Sequence, residues 1–173
     1  MSLLARIAAL EHRVAQMMQH GPVAQVDAAK GRVRLRLGGS DEQPLLGPWI
    51  PYAQQAGALK IHSPPTVGQQ MVAFSPGGEP RQAIAVASTW SDQNQAPSDK
   101  GDENVITFGP WRIEMKSGAV NITGPKIKIT GDVEITGSAD VNGGTLKHDG
   151  KNVGKNHKHS GVQAGAAQTG DPV

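Results

Sequence analysis

The sequence contains no cysteine and few aromatic residues. Its 173 residues include three Trp, two Phe and one Tyr, and 37% of the chain is hydrophobic. The missing thiols exclude disulfide bonds, thiolate metal ligands and cysteine nucleophiles. So few large apolar side chains predict a thin core for a monomer. We therefore expect the chain either to be partly disordered or to bury its apolar surface against other chains.

Long apolar runs and the common catalytic motifs are also missing. No run approaches the roughly 20 residues that span a bilayer, and the alternating N-terminus does not resemble a signal peptide. We therefore expect a soluble product made in the cytoplasm, unless other machinery exports it. The net charge of +2, without a run of Lys or Arg, argues against nucleic-acid binding. No nucleophile elbow, glycosidase carboxylate pair or phosphate-binding loop indicates an enzyme.

The N-terminus, residues 1–20, is predicted to be a helix. Its apolar side chains follow spacings of 4, 3, 4 and 3, which is the seam of a coiled coil: Leu3, Ile7, Leu10, Val14 and Met17. Gly21 and Pro22 are predicted to end the helix. Two and a half heptads are too short to hold a coiled coil alone. The helix therefore either joins helices of other chains or lies on its own domain.

Short strands and turns follow in residues 21–90. The segment RVRLRL (32–37) alternates strictly, and QMVAF (70–74) and QAIAVAS (82–88) are further strand candidates. PWIPYAQ is predicted to be extended, as an edge or a crossover, because Pro48 and Pro51 flank it. About five short strands in 70 residues predict a small closed barrel of the OB type.

Three arginines on one face of the 32–37 strand allow two interpretations. Arg32, Arg34 and Arg36 are either a phosphate-binding strip or the solvated face of a half-buried strand. The absence of interleaved aromatic residues, which would stack on bases, favours the solvated face.

The chain changes character after the linker predicted over residues 91–102. Residues 103–146 contain short alternating strands and the repeat AVNITGP, KIKITG, DVEITG and SADVNG, with glycines at spacings of 7, 6 and 6. One alternating face of the repeat is apolar: Val120, Ile122, Ile127, Ile129, Val133, Ile135, Ala139 and Val141. A single chain has nothing to cover that face, whereas three identical chains cover one another. We therefore predict an obligate homotrimer whose repeats form an intertwined β-helix, or β-prism.

The C-terminal segment, residues 147–173, contains the pair His157 and His159. Residues i and i+2 of a strand share a face about 7 Å apart, so three chains on a threefold axis would supply two rings of three imidazoles. Six nitrogen ligands suit an octahedral iron, nickel or cobalt ion better than zinc, and they leave no open position for catalysis. Taken alone, the HxH spacing is a weak signal. His62 and His148 are expected to be exposed loop residues.

The order of these parts resembles the central spike of contractile-tailed bacteriophages, the baseplate assembly protein V family. The resemblance covers nearly the whole chain and is carried by GPVAQVDAAKGRVRLRL, PWIPYAQ, PPTVGQQMVAFSPGGEPRQAIAV, the ITG repeats and HKHSGVQAGAAQTGDP. It implies a mostly β homotrimer with an N-terminal helix, an OB-fold collar, an intertwined β-helix and a metal-capped apex. It also implies that His157 and His159 of three chains bind one octahedral iron ion, with residues 160–173 wrapping the tip.

The same resemblance implies a structural role. The spike would lie beneath the tail tube in the virion, assembled in the host cytoplasm among baseplate proteins, and sheath contraction would drive it through the host outer membrane. No nucleic acid is expected as a partner. Two alternatives stay open at this point: the equivalent spike of a tailocin or another contractile injection system, and an OB-fold nucleic-acid-binding module.

Overall fold

The computed structural model describes residues 2–143, 145–154, 157, 161 and 165. The chain divides into two units, Met1–Pro125 and Lys126–Val173. The described part of the first unit contains a helix, a 3-10 turn and nine strands: α1 (Leu3–Met17), β1 (Met18–Asp27), β2 (Arg32–Gly39), β3 (Pro44–Leu46), β4 (Ile50–Pro51), β5 (Gln70–Phe74), the 3-10 turn (Pro80–Gln82), β6 (Ile84–Ala87), β7 (Glu103–Phe108), β8 (Trp111–Lys116) and β9 (Ala119–Thr123). The described part of the second unit contains the strands β10 (Lys147–His148) and β11 (Lys151–Asn152).

The N-terminal helix ends earlier than the sequence predicts. Ser2 caps α1 by accepting a hydrogen bond from the Ala5 N–H at 3.2 Å, and the helix ends at Met17. Strand β1 begins at the next residue without a connecting loop, so Gly21 and Pro22 lie inside a strand and do not end the helix. Antiparallel pairing of β1 with β5 accounts for the difference, because this long-range ladder overrides the local helical pattern.

Gly21 is required for strand packing. A Cβ atom at this position would lie 2.1 Å from the Arg36 carbonyl oxygen on β2, which is far inside van der Waals contact. The glycine therefore lets β1 and β2 approach closely where the chain leaves the helix. Its role in the fold is spatial, which a helix-stop interpretation of the sequence does not capture.

Five strands close into a small barrel. β1 pairs with β2 and β5, β2 pairs with β4, and β5 pairs with β6. A parallel bridge between Tyr52 and Ala85 closes the ring, and the Ala53 N–H donates to the Ala85 carbonyl at 2.8 Å. The barrel core contains nine buried apolar residues: Val23, Val33, Leu35, Ile50, Tyr52, Met71, Ala73, Ala83 and Ala85. The predicted helix followed by a barrel of the OB type is confirmed.

Residues 91–102, predicted as a linker, make contacts at both ends of the segment. The Asn94 N–H and the Ser91 N–H each donate to the other residue's carbonyl at 3.0 Å. Further along, Arg112 on β8 donates to the Pro97 carbonyl at 3.1 Å. The chain divides at Pro125, beyond this segment. The division into five segments predicted from the sequence stays a prediction.

Strands β7, β8 and β9 form an antiparallel meander with two chemically different faces. The register pairs Ile106 with Ile113 and Ile113 with Ile122 on one face. On the other face it pairs Glu103 with Lys116. Since side chains alternate between the faces of a sheet, one face is apolar and the other charged. The alternating strands predicted at ENVITFG and WRIEMKSG are confirmed as β7 and β8, and AVNIT of the first predicted repeat unit pairs with β8 as β9.

Glycines recur at regular positions in the second unit. Gly131, Gly137 and Gly143 have φ angles of 128°, 130° and 97°, a region that other residues rarely adopt. No atom lies within 4 Å of a Cβ built on any of them, so backbone conformation explains their presence. Residues 126–143 are all described and have no strand pairing within the chain. Pairing of the repeats between chains, as a β-helix, stays a prediction.

Candidate functional site

A short hairpin stands immediately before the histidine pair. β10 and β11 are joined by Asp149 and Gly150, both with positive φ (47° and 78°), as a two-residue hairpin turn requires. The Val153 N–H donates to the Leu146 carbonyl at 2.8 Å and extends the pairing by one step. His148 is exposed, as the sequence predicts, but it lies at the end of β10 and not in a loop.

Gly154 connects the hairpin to His157. The Gly154 N–H donates to Asn152 Oδ1 at 3.0 Å. The Gly154 carbonyl in turn accepts the His157 N–H at 3.0 Å and lies 2.8 Å from His157 Nδ1. Because a carbonyl oxygen can only accept, this contact is a hydrogen bond when Nδ1 carries the ring proton. This is the tautomer that a metal ligand bonding through Nε2 needs, held by a backbone carbonyl.

The second predicted ligand, His159, lies outside the described residues. Within the part of the chain that the structure describes, no three His, Cys, Asp or Glu side chains come close enough together to hold a metal ion. A metal site shared by His157 and His159 of three chains stays a prediction. The tautomer of His157 with the proton on Nδ1 fits the predicted metal site.

Apolar side chains are exposed in the single chain both on the meander and in the repeat, whose apolar face is the one predicted to be shared between chains. On the β7–β9 meander, Ile106 and Phe108 are 59% and 85% exposed. The repeat residues of the second unit are exposed by 56–66%: Ile127, Ile129, Val133, Ile135 and Val141. Contiguous apolar surface of this kind usually marks an interface, because scattered single residues would not recur on one face.

A cluster of ion pairs on the charged face of the meander was not predicted from the sequence. Lys116 Nζ lies 2.7 Å from Glu114 Oε1 and 3.0 Å from Glu103 Oε2. Arg112 Nη2 lies 3.0 Å from Glu114 Oε2. The Glu103 side chain is only 1% exposed and accepts a hydrogen bond of 2.5 Å from Ser98 Oγ. The cluster ties the end of the 91–102 segment to the sheet.

These contacts shift the titration of three groups. Hydrogen bonds from Lys116 and Arg112 lower the pKa of Glu114 to about 2. Hydrogen bonds from Ser98 and Lys116 lower the pKa of Glu103, and the same carboxylates raise the pKa of Lys116. Since the folded pKa values of both carboxyls lie below the unfolded value of 4.5, their contribution to stability is complete above that pH and is lost as the pH falls toward about 2.

We expect acid to weaken the meander selectively through this cluster. The urea midpoint for unfolding of the first unit should be lower at pH 3 than at pH 6, and Glu114→Gln should make that difference clearly smaller. Glu42→Gln, in an exposed loop of the same unit, is the matched control and should leave the difference unchanged. Equal pH dependence in the wild type and Glu114→Gln would contradict the prediction.

The arginines on β2 support the solvated-face interpretation. Arg36 Nη1 lies 2.6 Å from Asp41 Oδ1, and Arg36 Nη2 donates to the Gly39 carbonyl at 3.0 Å. Arg34 Nε donates to the Gly47 carbonyl at 2.8 Å. Two of the three guanidinium groups thus bind neighbouring parts of the barrel, and one is neutralised by a carboxylate. His62 lies exposed in a loop, as predicted.

No helix within the described ranges is long and apolar enough to cross a membrane.

Residues 19–90 match the family model of the Type VI secretion system/phage-baseplate injector OB domain, and these residues form the closed barrel. Residues 155–173 match the GpV Apex motif, which contains the histidine pair. The chain is 26% identical over 146 residues to the spike protein of Escherichia phage P2, a match covering 82% of this chain and 67% of that protein. The two matched segments and this relative support assigning the chain to the family of phage baseplate central spike proteins.

Proposed function

We propose that three copies of this chain form the central spike of a contractile-tail baseplate, and that sheath contraction drives the spike through the host outer membrane. The proposal combines the family membership with one observation, the exposed apolar faces of the meander and the repeat. It places the protein at the tip of the virion tail, in contact with the tail tube and other baseplate proteins. The same spike would serve a tailocin or another contractile injection device.

The apolar surface of the repeat supports the proposed homotrimer. Five aliphatic side chains of residues 126–143 are more than half exposed in the single chain: Ile127, Ile129, Val133, Ile135 and Val141. Burying each of them contributes about 1.5–3 kcal/mol. Charged and polar side chains, such as Lys128 and Glu134, alternate with them and would face water. Three chains arranged as an intertwined β-helix would bury the first set and leave the second exposed.

The tip would be held together by His157 and His159 of all three chains. A bound iron ion would act as a structural crosslink with six imidazole ligands in octahedral geometry and no open position. Iron is proposed because the resemblance to the spike family implies it, while the imidazole set alone would also suit nickel or cobalt. The Gly154 carbonyl, 2.8 Å from His157 Nδ1, would support the site by favouring the tautomer with the proton on Nδ1, so that Nε2 would face the ion.

The proposed role is mechanical and not catalytic. The sheath would supply the work, and the spike would contribute a narrow and stiff point. Chain ends fray most easily, and ligands from three chains meeting at the end would oppose fraying at the place that first meets the membrane. Neither the family nor the described side chains give a reason to propose catalysis.

Mass and metal content of the purified full-length protein test the proposal together. We expect light scattering to give three times the 18.1 kDa of the chain and elemental analysis to give one iron per three chains. A folded monomer would contradict the trimer and the shared site. A trimer containing zinc, or no metal, would leave the spike architecture standing and contradict the iron-bound tip.

A further inference from the structure

The seam of helix α1 is not covered by the rest of the chain. None of the residues of α1 is buried, and its seam residues are 43–71% exposed: Leu3, Ile7, Leu10, Val14 and Met17. The sequence left two arrangements open, a helix lying on its own domain or a helix packing against other chains. The exposure of the whole seam argues against the first arrangement, because such a helix would bury its apolar stripe.

The barrel holds the C-terminal end of α1 firmly. The Ser75 N–H donates to the Met17 carbonyl at 2.8 Å. A Cβ atom on Gly78 would lie 2.5 Å from the Arg13 carbonyl oxygen, so the turn after β5 packs closely against the last helical turn. Since β1 follows α1 without a loop, the barrel fixes the direction in which the helix leaves it. The seam is thus presented on an anchored helix.

We propose that α1 packs in parallel against α1 of the second and third copies of this chain and forms a short three-helix coiled coil. The proposal rests on the trimer of the proposed function, which brings the three N-termini together in the same direction. In the heptad pattern, Ile7 and Val14 occupy a positions, while Leu3, Leu10 and Met17 occupy d positions.

Charges beside the seam select the parallel orientation. Arg6 lies at a g position and Glu11 at the e position of the next heptad, and both are exposed. Side chains at g and the following e′ meet between parallel helices, so each Arg6 would pair with Glu11 of a neighbouring copy. In an antiparallel pair, g positions meet each other, which would bring Arg6 against Arg13. The pattern therefore fits copies of this chain sharing one direction.

The number of helices is set elsewhere in the chain. Ile or Val at a positions with Leu at d positions is also compatible with a two-helix coiled coil. At two and a half heptads, however, α1 is too short to associate alone, so the assembly that brings the barrels together determines how many helices meet. The coiled coil would then stabilise the end of the trimer that lies opposite the histidine pair in sequence.

Single cysteines test the arrangement, since the natural chain contains none. In the full-length protein, Val14→Cys at a seam position should form interchain disulfides on mild oxidation with diamide. The matched control is His12→Cys, at the outward-facing f position of the same helix. We expect the Val14→Cys protein to crosslink about tenfold faster than the control, because only seam side chains come within disulfide distance. Val14 faces itself only in the parallel arrangement.

A charge reversal provides a second measurement. In the Val14→Cys background, Arg6→Glu should slow crosslinking, and the double change Arg6→Glu with Glu11→Arg should restore it. Equal crosslinking rates for Val14→Cys and His12→Cys in a protein of trimeric mass would overturn the helix proposal and leave the proposed function standing. The seam would then be free to bind another tail protein. A monomeric mass would overturn both. An Arg6→Glu rate equal to the parent rate would overturn the parallel pairing of charges.

Discussion

Replacing both His157 and His159 by alanine is expected to abolish iron binding while leaving the protein trimeric. The double substitution removes all six proposed imidazole ligands, whereas the apolar repeat that would hold the three chains together is unchanged. Elemental analysis should give one iron per three chains for the wild type and none above background for the variant. Proteolysis of the C-terminal segment should be faster in the variant, because the crosslink at the end of the chain is missing.

His148→Ala is the matched control for the histidine prediction. His148 is an exposed histidine in the hairpin next to the tip, and it is not a proposed ligand. This variant should retain the full iron content and the protease resistance of the wild type. Iron retained by the double variant, or lost from His148→Ala, would show that the ligands are not the HxH pair.

The second large effect is expected from placing a carboxylate on the apolar face of the repeat. Ile135→Asp removes about 1.5–3 kcal/mol of apolar burial from each chain, and the threefold arrangement applies the loss three times. It would also bury three carboxylates close to one axis, which costs considerably more than the lost burial. We expect light scattering to show monomers or aggregates in place of the trimer.

Thr136→Asp introduces the same carboxylate at the adjacent position. Since neighbouring residues of a strand face opposite sides, this side chain should remain in water and the trimer should survive. A trimer retained by Ile135→Asp, with a melting temperature equal to that of Thr136→Asp, would mean that the face around Ile135 is not shared between chains. The comparison separates the effect of burial from the effect of added charge.

Alternation and flanking turn residues make several barrel and meander strands predictable from the sequence. The sequence predicts a strand at QMVAF (70–74), the same residues that form β5, because turn-forming residues bound both ends. The sequence predicts the end of α1 a few residues beyond Met17, because the pairing of Met18 with Phe74 that ends the helix joins distant parts of the chain. Local helix propensity does not reflect such a contact. The sequence therefore predicts that Gly21 ends a helix, whereas the structure uses it where two strands approach closely.

Of the features of the candidate site, some could be predicted from the sequence and others could not. The histidine pair could be selected from the sequence, since its spacing and small neighbours are local features. The ion-pair cluster could have been found only in part: Arg112, Glu114 and Lys116 share a face through their i, i+2 spacing, but Glu103 joins them only once the register of β7 on β8 is known. Similarly, the proton on His157 Nδ1 depends on the Gly154 carbonyl, which no spacing rule places there.

The regular glycines of the second unit have a consequence for how such chains change length during evolution. Gly131, Gly137 and Gly143 are separated by six residues, an even number. Gain or loss of one whole unit therefore keeps every remaining side chain on its original face, whereas an insertion of one or three residues would exchange the apolar and polar faces. Duplication of a short stretch of DNA would thus lengthen the proposed β-helix by one unit without any compensating substitution.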